Sequence, residues 1–242
     1  MGKLSGKNAV ITGGSSGIGL ASAKLFVEEG ARVFITSRRQ EELDRAVSTI
    51  GGAITAIRAD VASMPDLDRL YETVGNAGRI DILFANAGVG DIAPMAEVDE
   101  AHVDKIFGVN VKGVIFSVQK ALPLFNDGGS IIFTGSVAGT KATPTFGIYG
   151  ASKAAVRNLA RTLTLELKDR GIRVNVLSPG PTDTPIFQHH SPETIARLVA
   201  SIPIGRLGRS EEIAKAALFL ASDDSSFIAG VELFADGGRA QI

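Results

Sequence analysis

Short β-branched runs alternate with longer amphipathic stretches along the whole chain, and no other feature limits the fold as much. The runs at Asn8–Thr12, Arg32–Thr36, Ala53–Arg58, Ile80–Ala85, Ser130–Thr134, Ile172–Leu177 and Glu232–Ala235 have the length and composition of buried strands. Helical patterns fill most of the intervals. A chain that crosses over through a helix between successive strands builds a parallel sheet and covers both of its faces. The expected fold is therefore α/β, a doubly wound parallel sheet of about seven strands with helices on both faces.

No linker, repeat or low-complexity tract divides the 242 residues, so positions 1–242 are read as a single domain. One stretch is less regular. Prolines at 179, 181, 185, 192 and 203 mark it, and residues 181–203 are expected to form a substrate lid. The chain has no cysteine, which excludes disulfides, thiolate-bound zinc and a thiol nucleophile, and fits a reducing, cytoplasmic compartment. A formal net charge of −1 gives no general attraction to nucleic acid or anionic membranes, which leaves a small molecule as the expected partner. No apolar run approaches the ~20 residues needed to cross a bilayer. The start, Met1-Gly2-Lys3-Leu4-Ser5, has its hydroxyl one place early for a myristoylation site and is read as a plain N-terminus. His102, His189 and His190 have no metal-ligand spacing, and no metal is expected.

The first chemical motif is Thr12-Gly13-Gly14-Ser15-Ser16-Gly17-Ile18-Gly19, placed between a strand and an amphipathic helix. Glycines there permit a tight turn and bring backbone N–H groups and a helix N-terminus up to a pyrophosphate. The spacing departs from the general dinucleotide fingerprint, and a glycine-rich turn without a ligand is the alternative. Gly13, Ser15, Ser16, Gly17, Ile18 and Gly19 are the candidate contacts.

This motif resembles the cofactor loop of the classical short-chain dehydrogenase/reductase family, whose fold is of Rossmann type. Asn86-Ala87-Gly88, Tyr149-x-x-x-Lys153 and Pro179-Gly180 follow in that family's order, and the resemblance extends through Asp236-Gly237-Gly238. It implies hydride transfer between a nicotinamide and a carbonyl or secondary alcohol. It further implies that Ser136 holds the substrate oxygen, that Tyr149 is the general acid/base, and that Lys153 tunes Tyr149 and binds the nicotinamide ribose. Asn110 matches a fourth member that supports a water-linked proton relay; a helix-interior residue satisfying backbone groups is the alternative. Further implied cofactor contacts are Asp60 and Val61 near adenine, Asn86, Ala87 and Gly88 beside the dinucleotide, and Pro179, Gly180, Thr182 and Thr184 at the carboxamide end. At Thr182 only a backbone role is carried over.

The catalytic pair also makes physical sense alone. Residues four apart on a helix face the same way, so Tyr149 and Lys153 can reach one bound molecule. Lowering a phenol from about 10 by three units needs ~4 kcal/mol. An ammonium about 4.5 Å away supplies ~3.7 kcal/mol at an effective dielectric of about 20, with burial opposing it.

Cofactor choice turns on the end of the second strand, where NAD enzymes carry a carboxylate for the ribose 2′-hydroxyl. This chain has Ser37-Arg38-Arg39, so NADP(H) is expected in preference to NAD(H). The alternative is that Arg38 and Arg39 pair with Glu41 and Glu42 on a solvated helix start. The basic residue that the family often has before its second glycine is replaced here by Ser16.

Ser136, Ala138, Phe146, Tyr149, Pro181 and Phe187 are the expected substrate contacts, mostly apolar, with Val137 and Ile186 beside them. Ketones, aldehydes, 3-oxoacyl esters, sugars and steroids all remain open. A noncatalytic NADP-sensing or scaffolding relative and an NAD-preferring sugar or alcohol dehydrogenase are the rival readings. The helices around Val111–Leu122 and Ala154–Leu167 are apolar beyond what one sheet face needs, and with Phe227–Phe234 they suggest a homotetramer.

Overall fold

The computed structural model describes residues 1–185 and 191–240. Its elements are β1 (Asn8–Thr12), α1 (Gly17–Glu28), β2 (Arg32–Ser37), α2 (Gln40–Ile50), β3 (Ile54–Arg58), α3 (Met64–Ala77) and β4 (Ile80–Ala85). There follow α4 (Glu100–Phe107), α5 (Gly113–Ala121), β5 (Phe125–Thr134), α6 (Gly147–Glu166), β6 (Arg173–Pro179), β7 (Thr182–Asp183), α7 (Pro192–Ala200), β8 (Gly208–Arg209), α8 (Ser210–Ala221) and β9 (Glu232–Ala235).

Seven strands form one parallel sheet in the order β3-β2-β1-β4-β5-β6-β9, as the alternating pattern predicts. Successive strand residues face opposite sides, so β1 sends Val10 into one core and Ala9 and Ile11 into the other. Val10 packs with Leu67, Leu70, Val118 and Val156 from α3, α5 and α6. Ile11 packs with Phe26, Leu43, Ile213 and Leu220 from α1, α2 and α8. Because both faces are covered, the central strands carry apolar side chains in consecutive positions rather than alternating with polar ones. The strand order reverses between β1 and β4, and ligands of such sheets bind beyond the strand carboxyl ends at that reversal. Among the described residues no helix is long and apolar enough to cross a membrane.

Three local differences from the sequence expectations have physical causes. β5 begins at Phe125 rather than Ser130, with a register shift opposite Ile80 and Ile82. Its Asn126-Asp127-Gly128-Gly129 stretch reads as a turn, yet Arg79 and Arg170 both donate to the Phe125 carbonyl and hold it extended. The proline-marked segment contains α7. Pro192 occupies the first turn, where it has no hydrogen bond to lose, and the Ser191 hydroxyl accepts from the Thr194 amide. Finally, β7 and β8 form a separate two-residue pairing too short to leave a periodic trace.

Candidate active site

At the carboxyl end of β1 the chain turns through Gly13, whose φ of +67° favours glycine, and enters α1. A Cβ on Gly19 would stand 2.1 Å from the Gly13 carbonyl oxygen, so the helix can lie this close only with glycine there. The Thr12 hydroxyl accepts from the amides of Asn86 and Ala87 at 3.1 and 3.0 Å. The Asn86 side chain donates to the Thr12 and Gly13 carbonyls and accepts from the Thr134 hydroxyl. Asn86 thus joins the ends of β1, β4 and β5, and its side-chain bonding serves the loops themselves. Ser16 at the N-cap of α1 makes no side-chain bond to the helix, and no acidic residue lies in the first turn. Helix amides left without a side-chain cap beside a cradle that only glycine can form suit the pyrophosphate of a dinucleotide.

Tyr149 and Lys153 occupy successive turns at the start of α6. The Lys153 ammonium lies 5.6 Å from the Tyr149 ring centroid and donates to the Thr134 carbonyl at 2.9 Å. Ser136 caps a single 3₁₀ turn, Val137–Gly139, where its hydroxyl accepts from the Ala138 amide at 3.1 Å. Burial raises the Tyr149 phenol above its usual range, opposed by a hydrogen bond with Ser136. Burial lowers Lys153 to about 8. Desolvation dominates at both groups, so Tyr149 is a neutral phenol near pH 7 beside a lysine that is still mostly charged. Phe146 meets Tyr149 edge-on, with 6.0 Å between ring centroids and 74° between planes.

Asn110 sits in a π-helical turn, Gly108–Lys112, between α4 and α5. Such turns recur at functional sites because the extra residue redirects one side chain. The buried Asn110 carboxamide accepts from Val89 N–H at 2.9 Å and donates to the Val89 carbonyl at 3.0 Å and the Ser152 hydroxyl at 3.1 Å. Its side chain therefore fixes the loop following Gly88. A Cβ on Gly88 would lie 3.3 Å from Asn110 Oδ1 and 3.5 Å from Lys153 Nζ, which brings all three residues together.

Gly88, Ser136, Tyr149 and Lys153 border one open cleft of about 710 Å³, and Asn110 lies buried behind Gly88 without lining it. Gly13, Ser15, Ser16, Gly17 and Ile18 line its middle, while Ser37, Arg38, Arg39, Asp60 and Val61 line one end. There Arg38 lies 3.8 Å from Asp60, and Arg39 bonds Glu42 at 2.6 Å, the latter pair as the solvated-helix alternative expected. Glu42 also accepts from the Ser15 hydroxyl at 3.2 Å, a contact between loop and second helix that no sequence motif announces. At the other end stand Ser136, Ala138, Phe146, Tyr149, Lys153, Pro179, Gly180, Pro181, Thr182 and Thr184. Thr182 is buried with its hydroxyl bonded to the Gly180 carbonyl, and a Cβ on Gly17 would be 3.3 Å from the Thr184 methyl. The segment after β6 thus reaches back to the glycine turn. Phe187, with Ile186, His189 and His190, lies outside the described residues. Sequence reasoning missed Ile92, Thr143, Leu198 and Arg239, all of which border the cleft. Helical periodicity through Ile195, Leu198 and Val199 was an available signal for Leu198; Arg239 follows directly on Asp236-Gly237-Gly238.

The family model for enoyl-(acyl carrier protein) reductases matches residues 13–240. An oxidoreductase, asL5, of Sarocladium schorii is 50% identical, with 99% of this chain and 98% of that protein covered. The 3-oxoacyl-[acyl-carrier-protein] reductase FabG of Thermotoga maritima is 37% identical, with 98% of each chain covered. A solved short chain dehydrogenase/reductase family protein superposes with a TM-score of 0.92 at 37% identity, over 99% of this chain and 100% of the other. The fold and the cleft at its strand reversal define a nicotinamide-dependent oxidoreductase that interconverts carbonyl and CH–OH groups. The chain belongs to the short-chain dehydrogenase/reductase family.

Proposed function

We propose that the protein reduces a ketone, aldehyde or 3-oxoacyl substrate reversibly with NADP(H), and that Ser136, Tyr149 and Lys153 carry the proton chemistry. The convergence of Ser136 and Lys153 on Tyr149 beside the glycine turn is the observation that carries this reading. The dinucleotide, when bound, supplies or accepts the hydride. Ser136 and Tyr149 offer two hydroxyl donors to a carbonyl oxygen, stabilising the charge that develops there. Tyr149 then gives up its proton to that oxygen. Lys153, charged below about pH 8, stabilises the phenolate left behind. Asn110 keeps Val89 and Ser152 in place around this group. The T. maritima relative's name supports a carbonyl reductase, and the glycine turn leading into an α1 N-terminus without a side-chain cap supports a dinucleotide.

NADP(H) preference rests on Ser37, Arg38 and Arg39 at the cleft end. A second reading, NAD(H) preference, has in its favour that Arg38 and Arg39 already face Asp60 and Glu42. Oxidation of either reduced nicotinamide, followed by absorbance with a panel of ketones, 3-oxoacyl esters and sugars, tests reaction and cofactor together. Turnover with NADPH on at least one ketone is expected; inactivity on every carbonyl and every corresponding alcohol overturns the reading.

The protein is further proposed to be a homotetramer in the cytoplasm, with residues 181–203 acting as a lid. Exposed Ile115 on α5, Leu165 on α6, and Phe227 and Val231 before β9 support packing between copies. The lack of cysteine supports a reducing compartment. Light scattering on a size-exclusion column should give four chain masses, and a monomer mass at micromolar concentration overturns the assembly.

A further inference from the structure

We infer that Arg239 recognises a carboxylate on the carbonyl substrate. This rests on the hydride-transfer reading above and names the substrate class of the same cleft. Arg239 borders the cleft, and among the described residues its guanidinium has no hydrogen-bond or ion-pair partner. Its backbone is fixed. The Arg239 carbonyl accepts from Lys141 Nζ at 2.9 Å, and its N–H reaches the Asp236 carbonyl at 3.4 Å. The Asp236 carboxylate in turn accepts from the amides of Gly238 and Ala240 at 2.9 and 2.6 Å.

That turn lies at the catalytic end of the cleft. Lys141 follows the Ser136 turn by five residues, and a Cβ on Gly180 would stand 2.7 Å from the Asp236 Cα. Arg239 is thus anchored between the Ser136 turn and the Pro179-Gly180-Pro181 turn, and it shares the cleft with Ile92, Ala138, Phe146, Pro181 and Leu198. The single acidic residue among the described cleft residues is Asp60, which faces Arg38 at the opposite end. The nearby Asp236 carboxylate is taken up by the Gly238 and Ala240 amides, so the half-buried Arg239 guanidinium, which bonds no acid among the described residues, is satisfied by an anionic ligand, and its fork matches the two oxygens of a carboxylate. The apolar side chains that line the same cleft offer contacts to the carbon chain joining carboxylate to carbonyl.

The test uses the whole enzyme and a series of linear oxo acids with two to six methylenes between ketone and carboxylate. Each acid is assayed against its methyl ester, and one ketone bearing a phosphomonoester is included. The best acid should exceed its ester by about tenfold or more in kcat/KM, mainly through KM. In Arg239→Ala that ratio should fall to near one, and Arg239→Lys should restore part of it. Equal use of acids and esters by the wild type, or an equal fall in both on Arg239→Ala, overturns the inference while the reductase reading stands. Preference for the phosphomonoester overturns the carboxylate assignment. No turnover of any ketone, neutral or acidic, overturns the hydride-transfer reading itself.

Discussion

Lys153 holds its ammonium 5.6 Å from the centre of the Tyr149 ring while bonding the Thr134 carbonyl on β5. The lysine is thereby fixed to the sheet and the phenol is positioned against it. Tyr149→Phe keeps the ring and its edge contact with Phe146 but removes the transferable proton. General acids contribute about 10²–10⁴-fold, so kcat should fall at least a hundredfold. The dinucleotide is held mainly elsewhere, and its dissociation constant, read by NADPH fluorescence, should change by less than about threefold. Retention of a tenth of wild-type kcat rules out Tyr149 as the principal acid.

Lys153 also makes a prediction about stability. Burial lowers its folded value to about 8 from an unfolded value of 10.5. Between those limits the unfolded chain binds more protons than the native one, so this group adds stability as pH rises from 8 to 10.5 and withdraws it as pH falls through 8. The difference in unfolding free energy between wild type and Lys153→Met should therefore shift in favour of wild type over that interval, by up to about 3 kcal/mol. Urea titrations at either end of the interval, at one protein concentration, measure it. A difference that is flat with pH contradicts a buried, depressed lysine.

The parts of the fold that the sequence displayed are those governed by local pattern. β1 and β4 occupy the ranges their apolar runs define, because parallel strands buried on both faces carry apolar residues in consecutive positions, and the half-buried edge strand β9 matches its run as well. β5 was only half legible, since its first residues are held by Arg79 and Arg170 from distant positions. α7 was obscured by its own Pro192, which opens the helix rather than breaking it. In the cleft, glycine spacing and the Tyr149–Lys153 interval were readable because each expresses a local geometry. Arg239, Leu198 and the Ser15–Glu42 bond arise from chain segments that meet only in three dimensions.

Asn110 illustrates the same limit, for the sequence offered two roles and the side chain makes three hydrogen bonds. Asn110→Leu removes them all and leaves the Val89 N–H, the Val89 carbonyl and the Ser152 hydroxyl short of a partner. An unsatisfied buried polar group costs about 1–3 kcal/mol, and Ser152 keeps its bond to the Tyr149 carbonyl, so a loss of about 2–4 kcal/mol is expected. Activity should fall further than stability alone explains, because Gly88 and Lys153 adjoin the same carboxamide. Urea unfolding and kcat at a temperature where the variant is fully folded separate the two effects. Unchanged stability would falsify the loop-fixing role.

The end of β2 decides between the nicotinamides. Arg38 is largely exposed and 3.8 Å from Asp60, so that pair is too long and too solvated to hold it firmly. A 2′-phosphate can therefore draw the guanidinium away at little cost, whereas Arg39 must leave a 2.6 Å contact with Glu42. Charge-assisted hydrogen bonds contribute roughly 1.5–3 kcal/mol, so Arg38→Ala should weaken NADPH by about ten- to a hundredfold. Competition from Asp60 places the expected value toward the lower end, and NADH should change much less. Arg39→Ala should have the smaller effect on NADPH, which ranks the two arginines. Ser37→Asp goes further, because a carboxylate repels the phosphate and accepts from a free 2′-hydroxyl, moving the two affinities in opposite directions. Dissociation constants for both cofactors, taken for wild type and the three variants at one salt concentration, provide the measurement, since exposed charges are screened. Equal wild-type affinity for NADH and NADPH, or equal weakening of both by Arg38→Ala, makes these arginines surface charges and returns the enzyme to NAD(H).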